Sequence, residues 1–368
     1  MKAVISGYYG FGNTGDEAIL ESLISGLRKR DPEIGITVLS ADPAKTSKTH
    51  DVASIKRLDL LKIIKTLKRS NAFISGGGGL LQDSTGAFSV IYYLSIFLLA
   101  KLLGCKCAFL AQGFGPVKNP LNKLFSSLVL NKADIITVRD DRSLDEMISI
   151  GIRKPPLLLA ADLAFLLEEP KPLHAEELLK DEGIKLNGKR LLGVSVRKPV
   201  KDSEGFYKRL AVLLDKAAKE KDCDIIFIPF EMPRDAEDSL KVMRNMKSGA
   251  HLLSGIYPPK KILQIISKMD FFVGMRFHSL VFAAKSHVPF IGIAYDPKVS
   301  SLLNSLAAPC LGMDFDPEAA FNGLNTLIEK RDGVQKNIKE KVGMFKVRAG
   351  LNFSAFFEEN YTTKIIFK

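Results

Sequence analysis

Cysteine is scarce in this chain. Cys105, Cys107, Cys223 and Cys310 are spread through 368 residues, too few and too scattered for a disulfide framework or a zinc site. Cys105 and Cys107 flank Lys106 at the start of an apolar stretch and read as reduced, partly buried thiols. His50, His174, His251, His278 and His287 fall in no metal-ligand spacing, so no metal is expected. A membrane-spanning run is also missing. The longest apolar stretch, 87–100, falls short of the about 20 residues a spanning helix needs and stops at Lys101, so it reads as a buried core helix or a helix lying against a membrane surface. No secretory leader precedes the first strand, which points to the cytoplasm. Aromatic residues are few near the basic runs and no nucleic-acid motif is visible, so nucleic acid is not an expected partner.

What is present is positive charge, +12 with a pI near 9.3. It favours acidic partners such as anionic lipid or phosphorylated small molecules, or else marks a dispersed basic surface. Residues 60–69 place Leu60, Leu61, Ile64 and Leu67 on one helical face with lysines beside it. That pattern suits contact with an anionic inner membrane face, and equally an ordinary surface helix.

Short β-type runs alternate with helical ones throughout, which argues for parallel sheets with crossover helices. Strands are expected at 3–6, 36–39, 72–75, 107–112 and 134–138, then at 191–196, 224–229, 271–274 and 290–294. The charged, Pro-rich stretch Glu168-Glu169-Pro170-Lys171-Pro172 breaks the alternation. The expected division is therefore 1–169 and 173–333, two tandem doubly wound domains with a cleft between them. A terminal helical segment, 334–368, packs back on the first.

Gly10-Phe11-Gly12-Asn13-Thr14-Gly15 spells GxGxxG between a short strand and an amphipathic helix. Asp16 and Glu17 follow at once. Their charges repel a pyrophosphate at the helix N-terminus, and Asp42, the first acid after the second expected strand, lies too far along for a ribose, which argues against NAD. The two acids either cap the helix or, with Asn13, present polar groups to a substrate rich in hydroxyls. Gly76-Gly77-Gly78-Gly79 ends the third strand and reads as a tight turn or a backbone nest for an anion, with Gly77 and Gly78 as its donors. Gln112-Gly113-Phe114-Gly115-Pro116 ends the next strand. Arg139 and Arg197 end one strand in each half, where sheets of this kind bind ligands, though Arg139 could instead pair with Asp140 or Asp141. Gly274-Met275-Arg276-Phe277-His278-Ser279 delivers a bidentate anion grip and a proton carrier onto one helix start, or a helix-capping pair. Tyr295-Asp296-Pro297-Lys298 extends the same cationic wall.

Together, GYYGFGNTGDEAIL at 7–20, SGGGGLLQD at 75–83, QGFGP at 112–116, Arg139 with Ser143, Arg197 and GMRFHS at 274–279 resemble the polysaccharide pyruvyl transferase family, especially its CsaB-type bacterial members. Position 277 is Phe where many relatives look to carry Leu, and both are apolar. The resemblance implies a GT-B-like fold and transfer of pyruvyl from phosphoenolpyruvate to a sugar as a cyclic ketal. For CsaB-type members it implies N-acetylmannosamine in a lipid-linked secondary cell-wall polymer precursor, the finished polymer holding S-layer proteins. No cofactor is implied. Arg139 and Arg276 become the expected donor grip, with Arg197, Lys298, Gly77 and Gly78 in support. His278 becomes the general acid or base. Asp16 or Glu17 orients or deprotonates the acceptor, with Asn13 and Gln112 binding it. The competing readings are a nucleotide-sugar glycosyltransferase and a non-catalytic anion- or glycan-binding protein.

Overall fold

A computed structural model describes residues 1–83, 87–169, 175–199, 202–358 and 365–366. Contacts separate two units. The first takes Met1–Gly12, Asp16–Leu167 and Phe345–Lys368; the second takes Asn13–Gly15 and Glu168–Met344. The terminal segment is thus shared. Its helix α14 (Arg331–Phe357) passes from the second unit to the first between Met344 and Phe345.

In the first unit, eight parallel strands form one sheet. They are β1 (Lys2–Ser6), β2 (Gly35–Ser40), β3 (Ala53–Lys56), β4 (Ala72–Leu81), β5 (Lys106–Phe114), β6 (Ile135–Val138), β7 (Leu157–Leu159) and β14 (Ile365–Ile366). Their order is β14-β7-β6-β5-β4-β1-β2-β3. Helices α1 (Thr14–Arg30), α2 (Pro43–His50), α3 (Leu60–Leu67), α4 (Ala87–Leu102), α5 (Pro120–Leu130) and α6 (Asp141–Ser149) make the crossovers. The central strands are buried on both faces and so read as continuous apolar runs, as in β5. The run at 87–100 lies within α4, which buries Val90, Leu94 and Phe97 and stacks Phe97 on Phe109 at 4.4 Å.

The second unit repeats the plan in six parallel strands: β8 (Arg190–Ser195), β9 (Cys223–Phe227), β10 (Ala250–Leu252), β11 (Phe271–Gly274), β12 (Phe290–Ile293) and β13 (Cys310–Leu311), in the order β10-β9-β8-β11-β12-β13. Its helices are α7 (Ala175–Asp181), α8 (Ser203–Lys221), α9 (Arg234–Asn245), α10 (Pro259–Ser267), α11 (Phe277–Lys285), α12 (Pro297–Leu306) and α13 (Pro317–Glu329). Strand order reverses between β1 and β4 in one sheet and between β8 and β11 in the other. Open α/β sheets bind ligands beyond the strand C-termini at such points.

Four helices start from one local device. Asp42, Asn119, Asp296 and Asp316 each stand before a proline, and each side chain accepts a backbone N–H of the first turn. The cap supplies an acceptor, and proline fits where no N–H is needed.

Two expectations change. The glycine run is neither a tight turn nor an open nest, because β4 continues through all four glycines beside β5, with a register shift between Gly78 and Leu81. A side chain at Gly76 would strike the Tyr9 hydroxyl at 2.6 Å, and one at Gly77 would strike Ile19 at 2.7 Å. The glycines let Tyr9 and α1 press directly on the strand, and the Tyr9 hydroxyl donates to Gly76 O at 2.6 Å. Helix α3 also turns differently. It buries Ile63 and Leu67, while Leu60 and Leu61 face solvent. Among the described residues, no helix is long and apolar enough to cross a membrane.

The end of α14 is fastened into the first unit by a buried amide. Asn352 Oδ1 accepts Ala111 N at 2.8 Å and pairs with the Thr137 hydroxyl. Its Nδ2 donates to Ala161 O at 3.1 Å. Phe345 stacks on Phe165 at 4.6 Å.

Candidate active site

In the second unit the reversal point gathers four candidate residues. Arg197 follows β8, and Arg276 and His278 follow β11. Lys298 lies on α12, beyond β12. Arg276 is already engaged. Its Nε donates to Asp235 at 3.0 Å, its Nη2 pairs with Asp235 as well, and Nη2 reaches Glu231 at 2.8 Å. Asp235 is fully buried and also accepts Phe230 N and Glu231 N, each at 3.0 Å. Burial lowers the Arg276 pKa, but Asp235 and Glu231 outweigh it and leave it above the ordinary arginine value. Burial lifts the Asp235 carboxyl against the opposing pull of Arg276. A donor grip by Arg276 would have to compete with these two carboxylates. Two carboxylates saturate its charge, and it fastens the loop after β11 to the loop after β9.

Arg197 differs. Among the described residues no carboxylate pairs with it, and its Nε is buried without a hydrogen-bond partner. Its guanidinium lies 4.2 Å from the Tyr295 ring centre, a cation–π contact that leaves the positive charge uncompensated. Lys298 lies 5.7 Å from the same ring and 3.6 Å from Asp296. His278 sits at the start of α11, its ring edge-on to Phe277. Asn13–Gly15 belongs to this unit: Thr14 N donates to Phe230 O at 2.8 Å, and Asn13 bridges to Glu231. A side chain at Gly15 would fall 2.0 Å from His278 Nδ1, which explains that glycine by close approach. The Asn13 side-chain Oδ1 accepts Gly15 N at 3.0 Å.

In the first unit the expected residues are largely tied into the structure. Glu17 is committed, as Gly10 N donates to it at 2.8 Å and His50 Nε2 lies 3.2 Å from its other oxygen. It ties the loop after β1 to α2. Arg139 is committed too. It is buried and pairs with Asp162 at 2.8 Å and Asp140 at 3.5 Å. Burial pulls its pKa down, but the two acids prevail and it stands above the ordinary value. Its guanidinium lies over Gly113, where a side chain would meet it at 2.8 Å. A donor grip by Arg139 would have to compete with this buried ion pair. Gln112 is buried as well, donating to Gly78 O and Gly113 O. Its Oε1 is the one part left without a partner. Asp16 lies against the bulge in β4, where a side chain at Gly78 would meet its carboxylate at 3.1 Å. Its charge adds to burial in raising the Tyr9 and Tyr93 hydroxyls.

The model of the polysaccharide pyruvyl transferase family matches residues 13–297, more than half of the chain. The chain belongs to this family. A curated relative, the amylovoran biosynthesis protein AmsJ of Erwinia amylovora, is 20% identical over 92% of this chain and 93% of its own. Among solved structures, HepE of Anabaena in complex with UDP-glucose superposes with a TM-score of 0.66 at 12% identity, over 96% of this chain and 98% of that one. UDP-GlcNAc 2-epimerase from Neisseria meningitidis bound to UDP-GlcNAc gives 0.64 at 11%, over 97% and 99%. These structural likenesses show a GT-B-like fold of two parallel-sheet domains. Membership of the pyruvyl transferase family makes the protein a transferase of polysaccharide biosynthesis, with a glycan as substrate.

Several residues at these strand ends escape sequence reading. Asp162, Glu231 and Asp235 are the acids that hold the two expected arginines. A cluster of acids just past a predicted strand, as in Glu231-Met232-Pro233-Arg234-Asp235, was the available signal. Tyr8, Phe11, Arg57 and Tyr93 gather at the C-terminal edge of the first sheet; Tyr8 and Phe11 fall inside the 7–20 motif without a role assigned there, and no motif marks Arg57 or Tyr93.

Proposed function

We propose that this pyruvyl transferase takes its pyruvyl group from phosphoenolpyruvate and places it as a cyclic ketal on N-acetylmannosamine of a lipid-linked, CsaB-type cell-wall polymer precursor. The finished polymer would then serve S-layer attachment. The observation that carries the reading is Arg197, an uncompensated guanidinium at the reversal point of the second sheet, with His278 on a neighbouring strand end. Phosphoenolpyruvate presents a carboxylate and a phosphate. A planar guanidinium grips either in bidentate fashion, with Lys298 adding charge.

In this reading His278 is the general acid that delivers a proton to the methylene carbon. One sugar hydroxyl attacks the central carbon, phosphate leaves with the bonding pair, and a second hydroxyl closes the ketal; of the two hydroxyl protons, one restores His278 and the other leaves with the phosphate. Atoms and charge balance without an oxidant, a reductant or a metal. Asp16 and Gln112, near the reversal point of the first sheet, support the acceptor side, and Arg276 positions His278 through its own loop. Exposed Leu60, Leu61, Phe88, Leu121, Leu124 and Leu128 on α3, α4 and α5 suit peripheral contact with an anionic membrane carrying the acceptor.

The test is incubation with phosphoenolpyruvate and a set of lipid-linked disaccharides. Phosphate release and pyruvylated product should rise together, and Arg197→Ala should weaken phosphoenolpyruvate binding by at least tenfold. Absence of phosphate release with every acceptor, or tight specific binding of a nucleotide sugar instead, would overturn the reading.

A further inference from the structure

Beyond the loop after β3, Arg57 stands inside a ring of aromatic side chains. Its guanidinium carbon lies 4.3 Å from the centre of the Tyr92 ring, 5.2 Å from Phe11 and 5.4 Å from Tyr93. Tyr8 stacks on Phe11 at 4.1 Å with planes 10° apart, and Phe11 remains 39% exposed. The Arg57 backbone is fixed at both ends. Its N–H donates to Ser40 O at 2.9 Å, and its carbonyl accepts the Tyr92 hydroxyl at 2.7 Å. The guanidinium has no carboxylate partner among the described residues, unlike Arg139 and Arg276. Beside it the Tyr93 hydroxyl is buried and makes no hydrogen bond. An unpaired buried hydroxyl costs on the order of 1–3 kcal/mol, and native structures keep few of them.

These groups follow β1 and β3 or lie on α4, at the C-terminal edge of the first sheet, the edge where such sheets take ligands. The combination selects a chemistry. A guanidinium held open by rings wants a planar or tetrahedral oxyanion. An orphaned buried hydroxyl wants an acceptor. An exposed ring stacked on a second ring offers a flat apolar platform, and the C–H face of a pyranose fits it. We propose that Arg57, Tyr93 and the Tyr8–Phe11 stack form the acceptor subsite, taking a sugar phosphate with its phosphate on Arg57 and its sugar ring on Phe11. This deepens the proposed function, since it rests on reading the first unit as the acceptor side. The phosphate is either that of a lipid-linked glycan or that of a soluble nucleotide sugar.

The chain has no tryptophan and eight tyrosines, three of them in this cluster, so tyrosine emission reads the subsite directly. The full-length protein is titrated with N-acetylglucosamine 1-phosphate, with N-acetylglucosamine and with inorganic phosphate. The sugar phosphate should change the emission at the lowest concentration of the three. Arg57→Gln and Phe11→Ala should each weaken it by about tenfold, while phosphoenolpyruvate binding stays at the wild-type level. Phe11 is a surface residue, so its variant decides the matter even if Arg57→Gln fails to fold. A tighter response to a polyprenyl-diphosphate sugar than to the matching UDP-sugar assigns the phosphate to lipid, and the reverse assigns it to nucleotide. Either order supports the subsite. Equal binding of all three probes, or no loss in both variants, overturns it. A wild-type protein that binds the sugar phosphate but releases no phosphate from phosphoenolpyruvate would refute the donor assignment while leaving the subsite standing.

Discussion

Removing the Arg276 guanidinium should act first on stability. Asp235 is fully buried and keeps only two backbone donors, Phe230 N and Glu231 N, once Arg276 is gone. Glu231, a second carboxylate, stays next to it and raises its pKa further. Breaking a buried pair by deleting one partner costs about 3–5 kcal/mol. The surviving backbone donors place Arg276→Ala near the lower end, about 3 kcal/mol. For a unit of this size each kcal/mol moves the midpoint by about 2–4 °C, so the second unit should melt roughly 6–12 °C lower. Scanning calorimetry of the full chain reads this as a shift of one transition. The double variant Arg276→Ala with Asp235→Asn removes the stranded charge and should recover part of the loss. A single variant that melts with the wild type would refute the ion pair as a structural element, and lost phosphoenolpyruvate binding in that same variant would return the guanidinium to the donor.

Two further outcomes follow from burial and hydrogen bonding. Glu182 accepts Ser254 N, Gly255 N and the hydroxyls of Ser254 and Tyr257. Burial pushes its pKa up, but these donors prevail and hold it below the ordinary glutamate value, while burial and Glu182 push Tyr257 up to about 12. The stabilisation is full above the ordinary value of about 4.3 and is lost as pH falls through the lower folded value. Urea midpoints measured from pH 6 downward should therefore fall less steeply in Glu182→Gln than in the wild type, and parallel curves would contradict the assignment. Cys310 is exposed whereas Cys105, Cys107 and Cys223 are buried, with burial holding all four thiols above their ordinary pKa. A thiol reagent should label one cysteine in the native protein and four after denaturation, and rapid native labelling of a second would show that a buried site opens.

The alternation of strands and helices is legible because parallel strands covered on both faces leave unbroken apolar runs, as in β1, β5, β8 and β11. Elements with no such run escape. Helix α2, Pro43–His50, is polar and set by the Asp42 cap, and β3, Ala53–Lys56, is a half-exposed edge strand. The glycine run misleads for another reason. Glycine reports that something lies close, and only packing reveals that the neighbour is Tyr9 and Ile19, with β4 carrying on between them. The candidate site divides in the same way. Cations at strand ends are visible in the chain, and so is Asp140 beside Arg139, but the distant acids that neutralise them are not. Asp162 lies 23 residues beyond Arg139, and Asp235 lies 41 before Arg276. Local sequence cannot show pairing over such separations, so it ranked Arg197 below the two arginines whose charge is already matched.

The shared helix α14 has a consequence for synthesis. The first unit draws on residues up to Leu167 and again from Phe345 onward. A nascent chain that has emerged only to Leu167 lacks the Asn352 amide that meets Ala111 N–H and Ala161 carbonyl, and lacks the Phe345 ring that covers Phe165. Its sheet can begin to assemble on the ribosome, but the polar groups at its centre wait for a helix made last. The main segment of the second unit runs unbroken from Glu168 to Met344, so that unit has its residues in hand before Phe345 is made.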